Sequence, residues 1–164
     1  MSCIVQVAGT SGSGKSHLMR AFLAYVEQTG SVTSEYLEDR ERAIGYSIVH
    51  PECGNIYIPG AYDVPTGGCD TIHDIKQVYA SIEHHYEKGS SVVYEGLFCM
   101  NMTRGPQLAA RVGRNYHVLQ LTTPLATCLA SINARRAERG VGELANNSNT
   151  VDNYRRATNF CASM

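Results

Sequence analysis

The stretch GTSGSGKS, residues 9–16, constrains this chain more than any other feature of its sequence. It matches the G-x-x-x-x-G-K-[ST] spacing of a Walker A loop through Gly9, Gly14, Lys15 and Ser16. The apolar, partly β-branched segment Cys3–Ala8 precedes it, and apolar side chains recur at helical spacing over Ser16–Glu27. We therefore predict a buried strand, a phosphate-binding loop and a helix, in the order that opens an α/β fold.

The loop predicts binding of a nucleoside triphosphate. Glycines let successive backbone N–H groups turn toward a phosphate, and the helix N-terminus adds partial positive charge. We expect Lys15 to contact the β- and γ-phosphates, and the Ser16 hydroxyl to ligate Mg²⁺. The alternative, a glycine-rich loop with a chance lysine, is disfavoured by the flanking strand and helix. The predicted ATP-binding residues are Gly9, Thr10, Ser11, Gly12, Ser13, Gly14, Lys15, Ser16 and His17.

Length and composition fit one compact domain covering residues 1–164. At 164 residues and 43% hydrophobic content, the chain can bury one good core but not two. No apolar run is long enough for a membrane span, and no charged-then-apolar leader is present. The six cysteines include no C-x-x-C pair, so we expect reduced thiols and a cytoplasmic location.

The net charge of −1 conceals an asymmetry along the chain. Residues 1–100 hold 6 lysines and arginines against 12 acids, whereas residues 101–164 hold 8 arginines against 3 acids. The planar arginine fork suits phosphate recognition, although a solvated basic face is the plainer interpretation. The chain is not basic enough for charge alone to predict nucleic-acid binding.

A second acidic signal lies in SSVVYEGLF, residues 90–98. Its apolar residues form a short buried strand, and Glu95 stands at the carboxyl end, where ligands sit in open α/β sheets. A carboxylate there can serve as the Walker B acid and hold Mg²⁺, but it can also be a solvent-facing strand end. A further strand, Tyr116–Thr122, precedes a helix over Leu125–Arg139. The alternation predicts a P-loop NTPase fold, a three-layer α/β/α arrangement with a central parallel sheet.

The predicted helix ends in NARRAERG and is followed by the polar stretch GVGELANNSN. Arg135 and Arg139 lie four residues apart, so they share one helix face. We interpret residues 133–150 as a mobile arginine-bearing lid that screens the γ-phosphate from water and neutralises its charge. Arginines that simply favour the negative end of the helix dipole are the competing explanation.

The segment 45–75 is the candidate acceptor site. Tyr46–His50 and Asn55–Ile58 predict a hairpin, and a glycine- and proline-rich loop with two carboxylates, Asp63 and Asp70, follows. A kinase that acts on a hydroxyl uses a carboxylate to accept its proton. Asp70 is the favoured base and Asp63 the other candidate. Against this, Asp70 adjoins a predicted helix over 71–87 whose Thr71-x-x-Asp74 resembles a capping box.

Three segments together carry a resemblance to a known family. The stretches GAYDVPTGGCDTI, VVYEGLF and LTTPLATCLASINARRAERG resemble bacteriophage P-loop kinases of the nucleoside-monophosphate-kinase-like branch. Some of that family are described as 5-hydroxymethyluridine DNA kinases, which phosphorylate the modified base within phage DNA before further hypermodification. The similarity runs from Ile4 to about Arg139.

The resemblance implies an ATP- and Mg²⁺-dependent kinase with a DNA substrate containing 5-hydroxymethyluracil; whether it forms a homodimer stays open. It implies Asp70 as the base, Glu95 at the metal or acceptor, and Asn101 and Arg104 as contacts to the acceptor or to the DNA backbone. In one respect the chain departs from the pattern, because no further strand follows the helix predicted from VDNYRRATNFCASM. A small nucleotide kinase acting on deoxynucleoside monophosphates is the alternative, followed by a P-loop ATPase or a nucleotide-binding regulator.

Overall fold

The computed structural model describes residues 2–64, 67–100, 103–144 and 148–163. The strands within these ranges are β1 (Ile4–Ala8), β2 (Ser31–Glu35), β3 (Gly45–His50), β4 (Gly54–Pro59), β5 (Ser91–Glu95) and β6 (Tyr116–Gln120). The α-helices are α1 (Lys15–Thr29), α2 (Ile75–Glu87), α3 (Arg104–Val112), α4 (Leu125–Glu138) and α5 (Ser148–Ser163). The α/β class predicted from the sequence is confirmed.

The strands form one sheet in the order β2-β3-β4-β5-β1-β6. Strands β4, β5, β1 and β6 run parallel, which confirms the predicted βα alternation in that part of the sheet. The rest of the sheet is antiparallel, because β2 pairs with β3 and β3 pairs with β4 in that sense. The β3–β4 pair confirms the hairpin predicted over Tyr46–His50 and Asn55–Ile58. Strand β2 was not predicted, since its residues SVTSE are mostly polar; it lies at the edge of the sheet.

Helices cover both faces of the sheet. On β4, the buried Ile56 and Ile58 point to the face covered by α1 and pack in one cluster with Met19 of α1. The residue between them, Tyr57, points the other way and packs in a second cluster with Ile82 of α2. This alternation follows from the two-residue period of a strand. It gives the three layers, with a helix–sheet core on either side.

The start of α2 differs from the prediction. The helix begins at Ile75, and Asp74 is its N-cap, accepting a hydrogen bond from the Lys76 backbone N–H at 2.8 Å. Thr71 instead lies in a 3-10 turn over Cys69–Thr71, and its buried hydroxyl donates to the Gly68 carbonyl. The predicted capping box is therefore wrong, and Asp70 is free of any role in starting α2.

Within the described ranges, no helix combines the length and the apolar character needed to cross a bilayer.

Candidate active site

The loop after β1 packs so closely on the backbone of α4 that Gly12 cannot be replaced by a larger residue without a clash. Gly12 has a φ of +79°, and a Cβ there would lie 2.3 Å from the carbonyl oxygen of Cys128 on α4. Gly14, at a φ of +99°, is the left-handed residue that caps the N-terminus of α1. Only glycine takes this conformation without steric cost. The loop therefore wraps closely around the start of α1, between β1 and α4.

Lys15 is held inside this loop. Its ammonium donates to the carbonyls of Gly9 at 2.8 Å and Thr10 at 3.0 Å, and the side chain is almost fully buried. Burial lowers the pKa of Lys15, while the nearby carboxylates of Glu95 and Asp70 oppose that shift. The lysine thus shares one buried region with both predicted acidic residues.

Ser16 and Glu95 meet at the carboxyl ends of the parallel strands. The Ser16 hydroxyl donates to Glu95 Oε1 at 2.7 Å, and Glu95 is only 1% exposed. Burial raises the pKa of Glu95 to about 7, against the opposing influence of Lys15 and the Ser16 hydrogen bond. Gly68 packs directly on this carboxylate, because a Cβ there would lie 2.6 Å from Oε1.

Asp70 reaches the same place from the loop between β4 and α2. Its two carboxylate oxygens accept backbone hydrogen bonds from Leu97 at 2.8 Å and Phe98 at 3.1 Å, just after β5. These contacts fix the orientation of the carboxylate. They also tie the predicted acceptor segment to the strand that carries Glu95.

Together these elements enclose a cavity of about 600 Å³. It is lined by Ser11, Gly12, Gly14, Lys15, Ser16, His17, Arg20, Gly67, Asp70, Glu95, Leu97, Ser131, Ala134 and Arg135. Basic side chains, glycine backbone and two carboxylates thus face one space. The structure brings the predicted loop, Asp70, Glu95 and Arg135 to it, although they come from four separate parts of the chain.

The donors around this cavity fit a magnesium–triphosphate group. A hydroxyl and carboxylates are oxygen ligands, which hard divalent cations prefer. Within the described ranges, the hydroxyls of Thr10 and Ser13 are buried without a hydrogen-bond partner. Such unpaired buried polar groups in a glycine-rich loop are costly unless a ligand or water satisfies them. Ser16 and Glu95 are the residues that could hold the cation.

The predicted lid arginines occupy different positions. Arg135 lines the cavity, and its Nε donates to the Ser131 carbonyl at 3.3 Å. Arg139 lies one turn further on, exposed and outside the cavity lining, with its Nε on the Arg135 carbonyl. The structure describes residues 133–144 and 148–150 of the predicted lid, and residues 145–147 lie outside the described part of the chain.

Two of the predicted acceptor residues lie away from the cavity. Asp63 is exposed and pairs with Arg42 at 3.6 Å. Arg104, at the start of α3, lies over the ring of Tyr79 and lines a separate pocket. Neither side chain belongs to the cavity lining. Asn101 lies outside the described residues, so its predicted contact stays a prediction.

Arg20 is a cavity residue that sequence reasoning missed. Its Nε donates to the Tyr62 carbonyl at 3.1 Å, and its guanidinium also donates to the Val64 carbonyl. It therefore attaches the predicted acceptor segment to α1 while facing the cavity. Its position four residues after Ser16, on the same face of a helix, was the available signal.

One curated relative is similar over most of the chain. It is a protein of Pseudomonas phage PaMx11 named 5-hmdU DNA kinase, with 31% identity over 133 residues, covering 81% of this chain and 69% of the relative. This similarity confirms the resemblance to phage kinases predicted from the three sequence segments. No protein-family model and no solved structure matches the chain. From the identity and the coverage of both chains, we conclude that this protein belongs to the same family as the phage 5-hmdU DNA kinase.

Proposed function

We propose that this chain is a single-domain P-loop kinase that transfers the γ-phosphoryl group of ATP to the hydroxymethyl group of 5-hydroxymethyluracil in DNA. The name of the phage relative supports the acceptor. The observation that carries the chemistry is the 2.7 Å hydrogen bond between Ser16 and Glu95, which joins the Walker-type loop to the strand-end carboxylate. In the proposed reaction the hydroxymethyl oxygen bonds to the γ-phosphorus, and the bond from that phosphorus to the ADP leaving oxygen breaks.

The glycine loop and Lys15 bind the phosphates of ATP in this proposal. The Lys15 ammonium donates hydrogen bonds to two carbonyls of the loop, and these bonds hold it beside the start of α1. Ser16 and Glu95 would hold Mg²⁺, which, when bound, neutralises phosphate charge. Glu95 must be ionised for that role. Its place next to Lys15 favours the ionised form against the effect of burial.

Asp70 accepts the proton of the hydroxymethyl group. Two backbone N–H groups hold the carboxylate in one orientation at the cavity wall, and a fixed orientation is what an acid–base residue requires. This orientation supports Asp70 over Asp63 as the base. Asp63, which is exposed and paired with Arg42, has no part in this mechanism.

Arg135 neutralises the charge on the transferring phosphoryl group from the α4 side of the cavity. Arg139 belongs to the same arginine-bearing lid and would approach only when that segment closes over the nucleotide. A closed lid excludes water from the γ-phosphate. Exclusion of water favours transfer to the hydroxymethyl group over hydrolysis of ATP. The ATPase alternative predicts phosphate release to water with no acceptor labelled.

The test uses γ-labelled ATP and Mg²⁺ with three acceptors in parallel. These are DNA containing 5-hydroxymethyluracil, the same DNA with thymine, and a mixture of free deoxynucleoside monophosphates. We expect label on the modified DNA alone. Label on free nucleotides with both DNAs blank would make the protein a nucleotide kinase, and label only in inorganic phosphate would make it an ATPase.

A further inference from the structure

A smaller cavity of about 230 Å³ lies next to the contact between Asp70 and the segment after β5. Residues that are neighbours in the chain line the two cavities. Asp70 and Leu97 line the larger cavity, whereas their chain neighbours Cys69 and Phe98 line the smaller one. The smaller cavity therefore begins within one residue of the proposed base. We call it the Phe98 pocket; its lining residues are Cys69, His73, Asp74, Ile75, Val78, Phe98 and Cys99.

Phe98 is an exposed aromatic ring at this pocket. It is 64% exposed, the largest exposed fraction among the large hydrophobic residues in the described part of the chain. The backbone N–H of Phe98 donates to Asp70, so the main chain that carries the ring is fixed beside that carboxylate. Exposed aromatic rings are the side chains on which proteins stack nucleobases, because every base presents a π-face.

The rest of the pocket combines an apolar floor with a polar rim. Cys69, Val78 and Cys99 are buried, while His73 and Asp74 are exposed. His73 is held in the left-handed backbone region at a φ of +63°, uncommon for a residue other than glycine. Backbone conformations of this kind persist where the surrounding structure enforces them, often at ligand sites. An imidazole at the rim can hydrogen-bond to the polar edge of a heterocycle.

The dimensions favour a single ring as the occupant. Pockets for drug-sized ligands span about 300–1,000 Å³, and the Phe98 pocket lies below that range. The larger cavity already has the charges and volume for the nucleotide donor. Many enzymes that do chemistry on a DNA base turn that base out of the stack and into a protein site. The position beside Asp70 suits the ring of the base that carries the reacting hydroxymethyl group.

We propose that the Phe98 pocket receives the pyrimidine ring of the acceptor nucleotide, stacked on Phe98 and contacted at its polar edge by His73. This inference rests on the proposed function and goes beyond it by assigning the residues that recognise the acceptor base. The backbone of Leu97 and Phe98 then serves two purposes, since it orients Asp70 on one side and presents the stacking ring on the other.

The test compares Phe98→Ala, Phe98→Tyr and His73→Asn with the unaltered protein. Phe98→Ala leaves the backbone N–H on Asp70 in place, and asparagine tolerates the left-handed backbone of position 73. Tyr36→Ala is the matched control, because Tyr36 is 58% exposed and lines neither cavity. Each protein is assayed for the KM of an oligonucleotide containing 5-hydroxymethyluracil, the KM of ATP, and binding of that oligonucleotide against one with an abasic site.

We expect Phe98→Ala to raise the acceptor KM roughly fivefold to a hundredfold, the range that loss of one base–aromatic stack produces. The KM of ATP should stay the same, Phe98→Tyr should restore most of the loss, and the preference for the base over the abasic site should disappear in Phe98→Ala. His73→Asn should raise the acceptor KM by a smaller factor.

An unchanged acceptor KM in Phe98→Ala, with the unaltered protein active on modified DNA, would overturn the pocket and leave the proposed function standing. A rise in the acceptor KM that is equally large in Tyr36→Ala would also overturn the pocket proposal. Failure of the unaltered protein to label modified DNA would overturn the proposed function itself. If it also bound the modified and abasic oligonucleotides equally, the pocket proposal would fall with it.

Discussion

Ser16 Oγ lies 2.7 Å from Glu95 Oε1, although 79 residues separate the two in the chain. The bond joins the first turn of α1 to the end of β5 and places a buried carboxyl beside Lys15. Because burial costs the ionised form more than the neutral form, this carboxyl makes the stability of the ligand-free protein depend on pH.

The first prediction concerns that dependence. The folded pKa of Glu95, about 7, exceeds its ordinary 4.5, so the folded state binds the proton more tightly than the unfolded state. Glu95 therefore lowers the free energy of unfolding as pH rises from about 4.5 to 7. Glu95→Gln lacks this titration, and its stability relative to wild type should increase across that window by up to about 3 kcal/mol. Urea unfolding in EDTA at several pH values measures it; a constant difference would contradict the prediction.

The second prediction separates the two candidate carboxylates. Asp70→Asn should lower kcat by about 10²–10⁴-fold, the contribution typical of acid–base catalysis, with little change in the KM of ATP. Asp63→Asn should leave kcat within about twofold, because its side chain is exposed, pairs with Arg42 and is not part of the cavity lining. Steady-state phosphorylation assays on both variants decide it. Equal losses in the two variants would reject Asp70 as the base.

The third prediction concerns the arginines of α4. Arg135→Ala should lower kcat by about 10–10³-fold, since Arg135 lines the cavity in which the proposed mechanism develops negative charge during transfer. Arg139→Ala should lower it less, because Arg139 lies outside that cavity in this conformation. Single-turnover rates with saturating ATP measure both. A larger loss for Arg139→Ala would show that the closed lid repositions Arg139 onto the phosphate.

The fourth prediction compares two glycines of the loop. Both have left-handed backbone, so alanine costs about 1–2 kcal/mol at either position. Only at Gly12 would the new Cβ also strike the Cys128 carbonyl, whereas nothing lies within 4 Å of a Cβ at Gly14. We expect Gly12→Ala to lower the free energy of unfolding by at least about 1 kcal/mol more than Gly14→Ala. Chemical denaturation of the two variants provides the comparison, and equal losses would argue against the close packing of the loop on α4.

The fifth prediction concerns the buried amide that supports the segment after β5. Gln6 is fully buried; its Nε2 donates to the Cys99 carbonyl at 2.9 Å, and its Oε1 accepts from the hydroxyls of Tyr94 and Tyr116. Gln6→Met should lower the free energy of unfolding by about 2–4 kcal/mol, since it removes three hydrogen bonds of a buried side chain. Tyr79→Phe, which removes one hydrogen bond to the same carbonyl, should cost only about 1 kcal/mol. Thermal unfolding of both variants measures the two losses in free energy of unfolding. Equal losses would contradict the prediction and would indicate that water replaces the hydrogen bonds of Gln6.

The sequence by itself determined the parts of the site that follow from local pattern. The spacing of Gly9, Gly14, Lys15 and Ser16 predicts a loop between strand and helix, and the structure has that loop between β1 and α1. The position of Glu95 at the end of an apolar run predicts a strand-end carboxylate at the ligand edge of the sheet, where it lies. Both inferences work because neighbouring residues decide a turn, a helix start and the end of a buried strand.

Only the tertiary structure decided which remaining residues join the cavity. Asp63 and Asp70 stand in one glycine- and proline-rich segment, and only Asp70 lines the cavity, where it accepts hydrogen bonds from the distant backbone of Leu97 and Phe98. Arg20 enters the cavity because its guanidinium reaches carbonyls more than 40 residues away, at Tyr62 and Val64. Strand β2 forms by pairing with β3 and not from an apolar pattern of its own. Long-range contacts of this kind depend on how the sheet orders its strands, and no local spacing encodes that order.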